Sequence, residues 1–153
     1  MPSSVAQGKT GLRAYLQATE GLRPADKVTV LSGAVEPVPA TKMVVLGKAT
    51  TTEAQAGLAR RAETVALLCW VLVTKSGSGE TAIQAARDDA YQLRALIGKA
   101  LQSDPTAAGA VPDPGHIDIT GSELDEVPVT WDGQAAQRAE LQLQLSWTSH
   151  ITP

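Results

Sequence analysis

This sequence predicts an α+β fold: one mixed or antiparallel β-sheet, a long helix packed on one face, and a short N-terminal helix. Three observations predict it. Residues 64–74 form an apolar run in which both alternating sets, Val65/Leu67/Cys69/Val71/Val73 and Ala66/Leu68/Trp70/Leu72, are hydrophobic. Such a strand is expected at the centre of a sheet and covered on both faces. Ile83, Ala86, Ala90, Leu93, Ile97 and Ala100 recur at spacings of three and four, the stripe of a long amphipathic helix. Leu141, Leu143, Leu145 and Trp147 alternate with polar residues, which marks a strand with one face on a core. The order α, β, β, β, long α, β, β places the helix across a sheet. A length of 153 residues fits one domain spanning 1–153.

The elements follow in order. Residues 4–17 predict a first helix with Val5, Leu12, Tyr15 and Leu16 on one side; Gly8 and Gly11 weaken it by about 1 kcal/mol each. It is therefore expected to form when docked. Val28 and Val30 alternate with polar neighbours in a short strand, and Pro37 and Pro39 make the next stretch a loop. Residues 43–46 give a second short apolar strand. Residues 50–60 are threonine-rich and show no period, which reads as a long exposed loop. Asp104-Pro105 stops the long helix, because the residue before proline avoids helical backbone. Ile117 and Ile119 begin another strand. After an acidic break Val127, Val129 and Trp131 resume the alternation, Pro128 assigns that piece to a sheet edge, and Asp132-Gly133 is a hairpin turn.

Composition excludes several functions. Phe is absent, so the core must be built from Val, Leu, Ile and Ala packed continuously. Net charge is −3, against a dedicated nucleic-acid grip. One cysteine and two histidines are too few for a disulfide framework or a common zinc site. The longest apolar run is nine residues, well short of the roughly 20 a membrane helix needs. A soluble protein made in a reducing cytoplasm is expected, with no cofactor and no membrane partner. Charge is unevenly spread: residues 1–63 carry eight Lys/Arg and five Asp/Glu, whereas residues 100–137 carry seven acids and no base. That acidic tract faces water, a basic neighbour, or a surface that must not hold DNA.

No catalytic constellation emerges. Gly8-Lys9-Thr10 resembles the tail of a P-loop, but Ser3 stands where the first glycine belongs. Gly77-Ser78-Gly79-Glu80-Thr81-Ala82 matches G-x-G-x-x-A between strand and helix, the alternative reading being a nucleotide-binding enzyme. Glu80 at the helix start opposes pyrophosphate binding, and no further βαβ unit follows. Neither His116 nor His150 has the context of a general base, and Cys69 reads as a small core residue.

Several segments in this order carry a family resemblance: Glu53-Ala54-Gln55-Ala56-Gly57-Leu58 leading through Arg61-Ala62-Glu63 into the central strand, Ala86-Arg87-Asp88-Asp89-Ala90-Tyr91, Ala100-Leu101-Gln102-Ser103-Asp104-Pro105-Thr106, and the final hairpin. Over roughly residues 20–150 the chain resembles the tail terminator (minor tail) proteins of long-tailed bacteriophages, especially those of actinobacterial hosts. The resemblance implies a structural virion protein without enzymatic activity. It would form a ring, usually of six copies, at the head-proximal end of the tail tube, stopping tube growth and presenting a surface to the head's connector. DNA would pass through the ring without sequence-specific binding. Another head–tail joining or tail-completion protein is the neighbouring alternative, and a small cytoplasmic binding module with no phage connection stays open. The expected interaction residues are Glu53, Gln55, Leu58, Arg60 and Arg61 in the 50–60 segment, and Glu123, Asp125 and Glu126 in the acidic tract. The first set would meet an adjacent ring or tube subunit. The second would face the channel or meet basic residues such as Arg60 and Arg61 of a neighbour.

Overall fold

The computed structural model describes residues 3–33, 40–57, 60–111 and 115–151, the side chains of residues 56, 60 and 151 apart. Its elements run α1 (Val5–Ala18), a 3-10 turn (Pro24–Asp26), β1 (Thr29–Leu31), β2 (Lys42–Gly57), β3 (Arg60–Ser76), α2 (Glu80–Ser103), β4 (Asp118–Trp131) and β5 (Gln134–Ile151). One five-stranded sheet has the order β1-β2-β3-β5-β4. Only β1 and β2 are parallel; every other pairing is antiparallel. This is the α+β class, with a mixed sheet, a short N-terminal helix and a longer second one.

The core forms where the periodicities meet. Leu141, Leu143, Leu145 and Trp147 of β5 and Val65, Leu67, Cys69, Val71 and Val73 of β3 are buried against Ala86, Ala90, Leu93 and Ile97 of α2. The buried stripe of α2 includes Ala82 and Leu101, while Ile83 is only half-buried. The helix ends at Asp104, whose backbone is extended before Pro105. The Asp104 carboxylate accepts from the Thr106 hydroxyl (2.7 Å) and from the Thr106 and Ala108 amides (3.1 and 2.9 Å), which steers the chain back toward β4. Those donors, the hydroxyl first, hold its pKa below the usual aspartate value.

α1 docks because its glycines are small. A Cβ on Gly8 would lie 2.7 Å from Cζ2 of the buried Trp147 ring, and one on Gly11 would lie 2.5 Å from the Ala110 Cβ. The residues that lower helix propensity are those that let the helix close on the sheet at Trp147 and on the segment after α2 at Ala110.

Three expectations need correction. Residues 50–57 are strand, not loop, and so is Arg60, residues 58 and 59 lying outside the described residues: β2 continues to Gly57 and β3 starts at Arg60, with Thr50↔Ala66, Thr52↔Thr64, Ala54↔Ala62 and Gln55↔Arg61 in register. β-branched threonine suits a strand. The period-two signal is missing because residues 51–55 are exposed on both sides. Second, β3 is central but its two faces are unequally covered: Val65, Leu67, Cys69, Val71 and Val73 are fully buried, whereas Ala66, Leu68, Trp70 and Leu72 are half-buried. Third, the acidic break is part of a continuous β4, which tolerates charge because it lies at the sheet edge.

Candidate interaction surface

Beyond Gly47 the β2–β3 hairpin becomes an arm. β2 bulges between Leu46 and Ala49, and the Gly47 carbonyl accepts a 2.8 Å bond from Lys9 Nζ of α1. Through the register, Thr50 is level with Ala66, Ser146 and Asp118, so the arm tip projects past the start of β4. Glu53 and Gln55 lie exposed on β2, and Arg61 lies exposed on β3. Arg61 Nε reaches Glu53 Oε2 at 3.5 Å, a half-exposed cross-strand pair. Arg60 opens β3, but its side chain, like all of Leu58, lies outside the described residues.

The three acids expected to act together are divided by the strand's alternation. Glu123 pairs with Gln142 and Asp125 with Glu140 on the face away from the helices, and both acids are exposed. Glu126 pairs with the core residue Ala139 and points the opposite way. There Arg87 of α2 grips it with two bonds, Nε to Oε1 at 2.9 Å and Nη2 to Oε2 at 3.0 Å. That fork raises the Arg87 pKa and ties α2 to the edge strand.

The helix-free face has two halves. Around β2 and β3 it is apolar: Leu68, Trp70 and Leu72 are half-buried, while Val45 and Met43, which pair with Trp70 and Leu72, are buried. Toward β5 and β4 it is polar and acidic: Gln144, Gln142 and Glu140, then Glu123 and Asp125. The alternation of the 141–147 strand marks the polar half of this face in the sequence; the apolar half is hidden because both sets of β3 side chains are apolar. The hydrophobicity of a strand does not say which chain covers it.

A buried polar cluster at the arm's root was missed as well. Glu63, 1% exposed, accepts from the Ser4 amide (2.9 Å) and the Ser4 hydroxyl (2.7 Å). Trp147 Nε1 and the Ser149 hydroxyl donate to that same Ser4 oxygen, at 3.0 and 3.2 Å. A carboxylate supplied by β3 therefore caps the start of α1, satisfying donors the helix leaves open. Burial pushes the Glu63 pKa up, the Ser4 and Ser3 donors pull it down, and the donors prevail. The sequence held a signal: Glu63 falls on the parity of Val65, Leu67 and Cys69.

For covalent or cofactor chemistry the described residues offer little. The Cys69 thiol is fully buried and its pKa is pushed up to about 12, which keeps it un-ionised. No group of three or more His, Cys, Asp or Glu among the described residues could hold a metal. No helix among the described residues is long and apolar enough to cross a membrane. The turn after β3 does not form a dinucleotide site: β3 is antiparallel to both neighbours, the Gly77 amide is engaged by Ala135 O (2.9 Å), and Glu80 occupies the first turn of α2. The arrangement is suited to docking against other surfaces.

No protein-family model and no curated protein sequence matches the chain. Among solved structures, a chain described as the virion of a native gene transfer agent particle is similar to this one, with TM-score 0.52 and 13% identity. The match covers 92% of this chain and 94% of that chain. At that identity the likeness is one of fold, and it runs nearly end to end.

Proposed function

We propose that this chain is a structural protein of a phage-like virion, acting as one tail-terminator-like domain that forms a ring on the head-proximal end of the tail tube. The observation that carries the reading is the near end-to-end fold correspondence with a chain of a gene transfer agent virion. An arm exposed on both faces and a half-apolar, half-acidic sheet face support it, because both are surfaces that a neighbouring subunit would complete. In the ring the arm, with Glu53, Gln55 and Arg61, contacts an adjacent ring or tube subunit. Glu123 and Asp125 line the channel, where like charge keeps DNA sliding, or meet basic groups of a neighbour. Tube growth stops, and the head's connector is received on the far side. The work is done by shape and charge, without turnover.

Deletion of the gene in its own particle system tests this. The expected result is tails of uncontrolled length without heads, restored by the wild-type chain, and a ring of this protein at the upper end of purified tails. Particles of normal length and infectivity that lack the protein would overturn the reading.

A further inference from the structure

The arm leaves the sheet at a bend, and α1 is bonded on both sides of it. On β2, Gly47 and Lys48 stand opposite the single residue Leu68, so the strand carries one extra residue there. A bulge of this kind bends its strand. From the helix side, Lys9 Nζ of α1 donates to Gly47 O at 2.8 Å. The Trp70 ring lies over the same glycine, where a Cβ would come within 3.4 Å of Trp70 Cδ1 and of Leu68 O.

Inboard of the bend α1 is part of the core. Leu12 and Leu16 show no exposure, and Arg13 Nε donates to Val30 O of β1 at 3.1 Å. Outboard of it lies Glu63, five residues beyond Leu68 along β3 and about 17 Å away at the rise of an extended strand. There the Ser4 amide and hydroxyl donate to the Glu63 carboxylate, while Ser4 Oγ accepts from Trp147 Nε1 and Ser149 Oγ of β5. The first turn of α1 thus holds all three strands at the arm's root, β2 through Lys9 and β3 and β5 through Ser4. That turn is closed by its own backbone, the Gly8 amide donating to Ser4 O at 2.8 Å. Ala54, Gln55 and Arg61, further out again, are exposed.

We infer that α1 is a strut that sets the angle of the arm in the free chain, with Lys9 as its positioning residue. A bulged strand bends easily and a hydrogen-bonded helix does not, so a helix fixed inboard and outboard of the bulge allows the arm one direction. Ser4 and Glu63 are buried and their loss costs stability. Lys9 is only half-buried, and water can serve Gly47 O in its place. Removing the Lys9 amine therefore loosens the arm while the fold stands. An arm aimed in advance loses less freedom when it meets a partner than one that orders on contact. That purpose rests on the ring reading; the strut is a property of the single chain.

The test uses the full isolated chain carrying nitroxide labels at Gln55→Cys in the arm and Gln84→Cys on α2, both exposed positions. The buried, un-ionised Cys69 thiol does not compete for label. The distance distribution between the labels is expected to be narrow. Lys9→Met keeps the side-chain stem without its donor and should widen the distribution about twofold or more, with a melting curve close to that of the labelled parent. Lys9→Arg, which still donates, should restore the narrow one. In particles Lys9→Met should lower incorporation about threefold or more. Ser4→Ala opens the outer end of the strut and should widen the same distribution, so if one variant misfolds the other decides. A broad distribution in the parent, equal widths in the parent and a folded variant, or failure of Lys9→Arg to restore the width overturns the strut. A narrow parent distribution in a chain that never enters particles overturns the ring reading and leaves the strut standing.

Discussion

Val65, Leu67, Cys69, Val71 and Val73 show no exposure, while Ala66, Leu68, Trp70 and Leu72, one residue away on the same strand, are half-buried. The two sets are equally apolar, so composition does not explain the difference. The first set lies in the core cluster with residues of α1 and α2; the second lies outside that cluster and is covered only in part. A strand that is hydrophobic on both sides can thus have one face sealed in the core and the other left partly open to water. The face committed to folding should respond to truncation far more strongly. Leu143→Ala, at a position with no exposure beside Cys69, should cost about 2–5 kcal/mol in urea unfolding of the isolated chain. That is a large share of a domain's usual stability.

Glu63 gives the next largest effect, because its loss leaves the Ser4 amide and hydroxyl buried without their acceptor. Glu63→Ala should destabilise by about 1–3 kcal/mol, with Glu63→Gln, which keeps an acceptor oxygen, milder. Its native pKa lies below the ordinary glutamate value. The stabilisation is therefore fully present above that ordinary value and disappears as pH falls through the lowered native one. Chemical denaturation from neutral to acidic pH should show a shallower loss of stability in Glu63→Gln than in wild type. Equal slopes would mean the carboxylate is not the group that ties α1 to the sheet.

Glycines on the two helices separate docking from propensity. Gly8→Ala gains helix propensity but drives a methyl into the Trp147 ring, and should lower stability by about 1–3 kcal/mol. Gly98 of α2 is open to a methyl at ordinary contact distance, 3.9 Å from Ile119 Cδ1. Gly98→Ala should therefore raise stability by about 1 kcal/mol. Thermal melts of the two variants moving in opposite directions check the assignment.

The sequence was legible wherever a strand or helix has one dry side and one wet side. The stripe of α2, the alternation of β5, the stop at Asp104-Pro105 and the hairpin turn at Asp132-Gly133 each follow from that contrast, and together they specify the α+β class. It was illegible where the contrast is missing. Residues 51–55 are wet on both sides, so the arm showed no period and read as a loop. β4 alternates weakly at a charged edge, so its acids read as a break. Had that strand been read as continuous, parity alone would have separated Glu126 from Glu123 and Asp125. Glu53 and Arg61 were legible as exposed residues of the 50–60 segment; their pairing with each other was not, because it needs the two strands in register.

The smallest expected loss bears most directly on the comparison. Leu68→Gln lies on the same strand as Leu67 but on the half-buried face, where part of the side chain already contacts water. Only the covered part of its transfer free energy is lost on substitution, so the isolated chain should lose about 1–2 kcal/mol in urea unfolding, less than for Leu143→Ala. Within assembled particles the same substitution should be felt more strongly, because a neighbour covering this face would have to desolvate the amide. A loss in the isolated chain as large as that of Leu143→Ala would mean that this face is closed by the chain itself and is not an interface. A loss confined to the particle would assign the second apolar set of β3 to assembly.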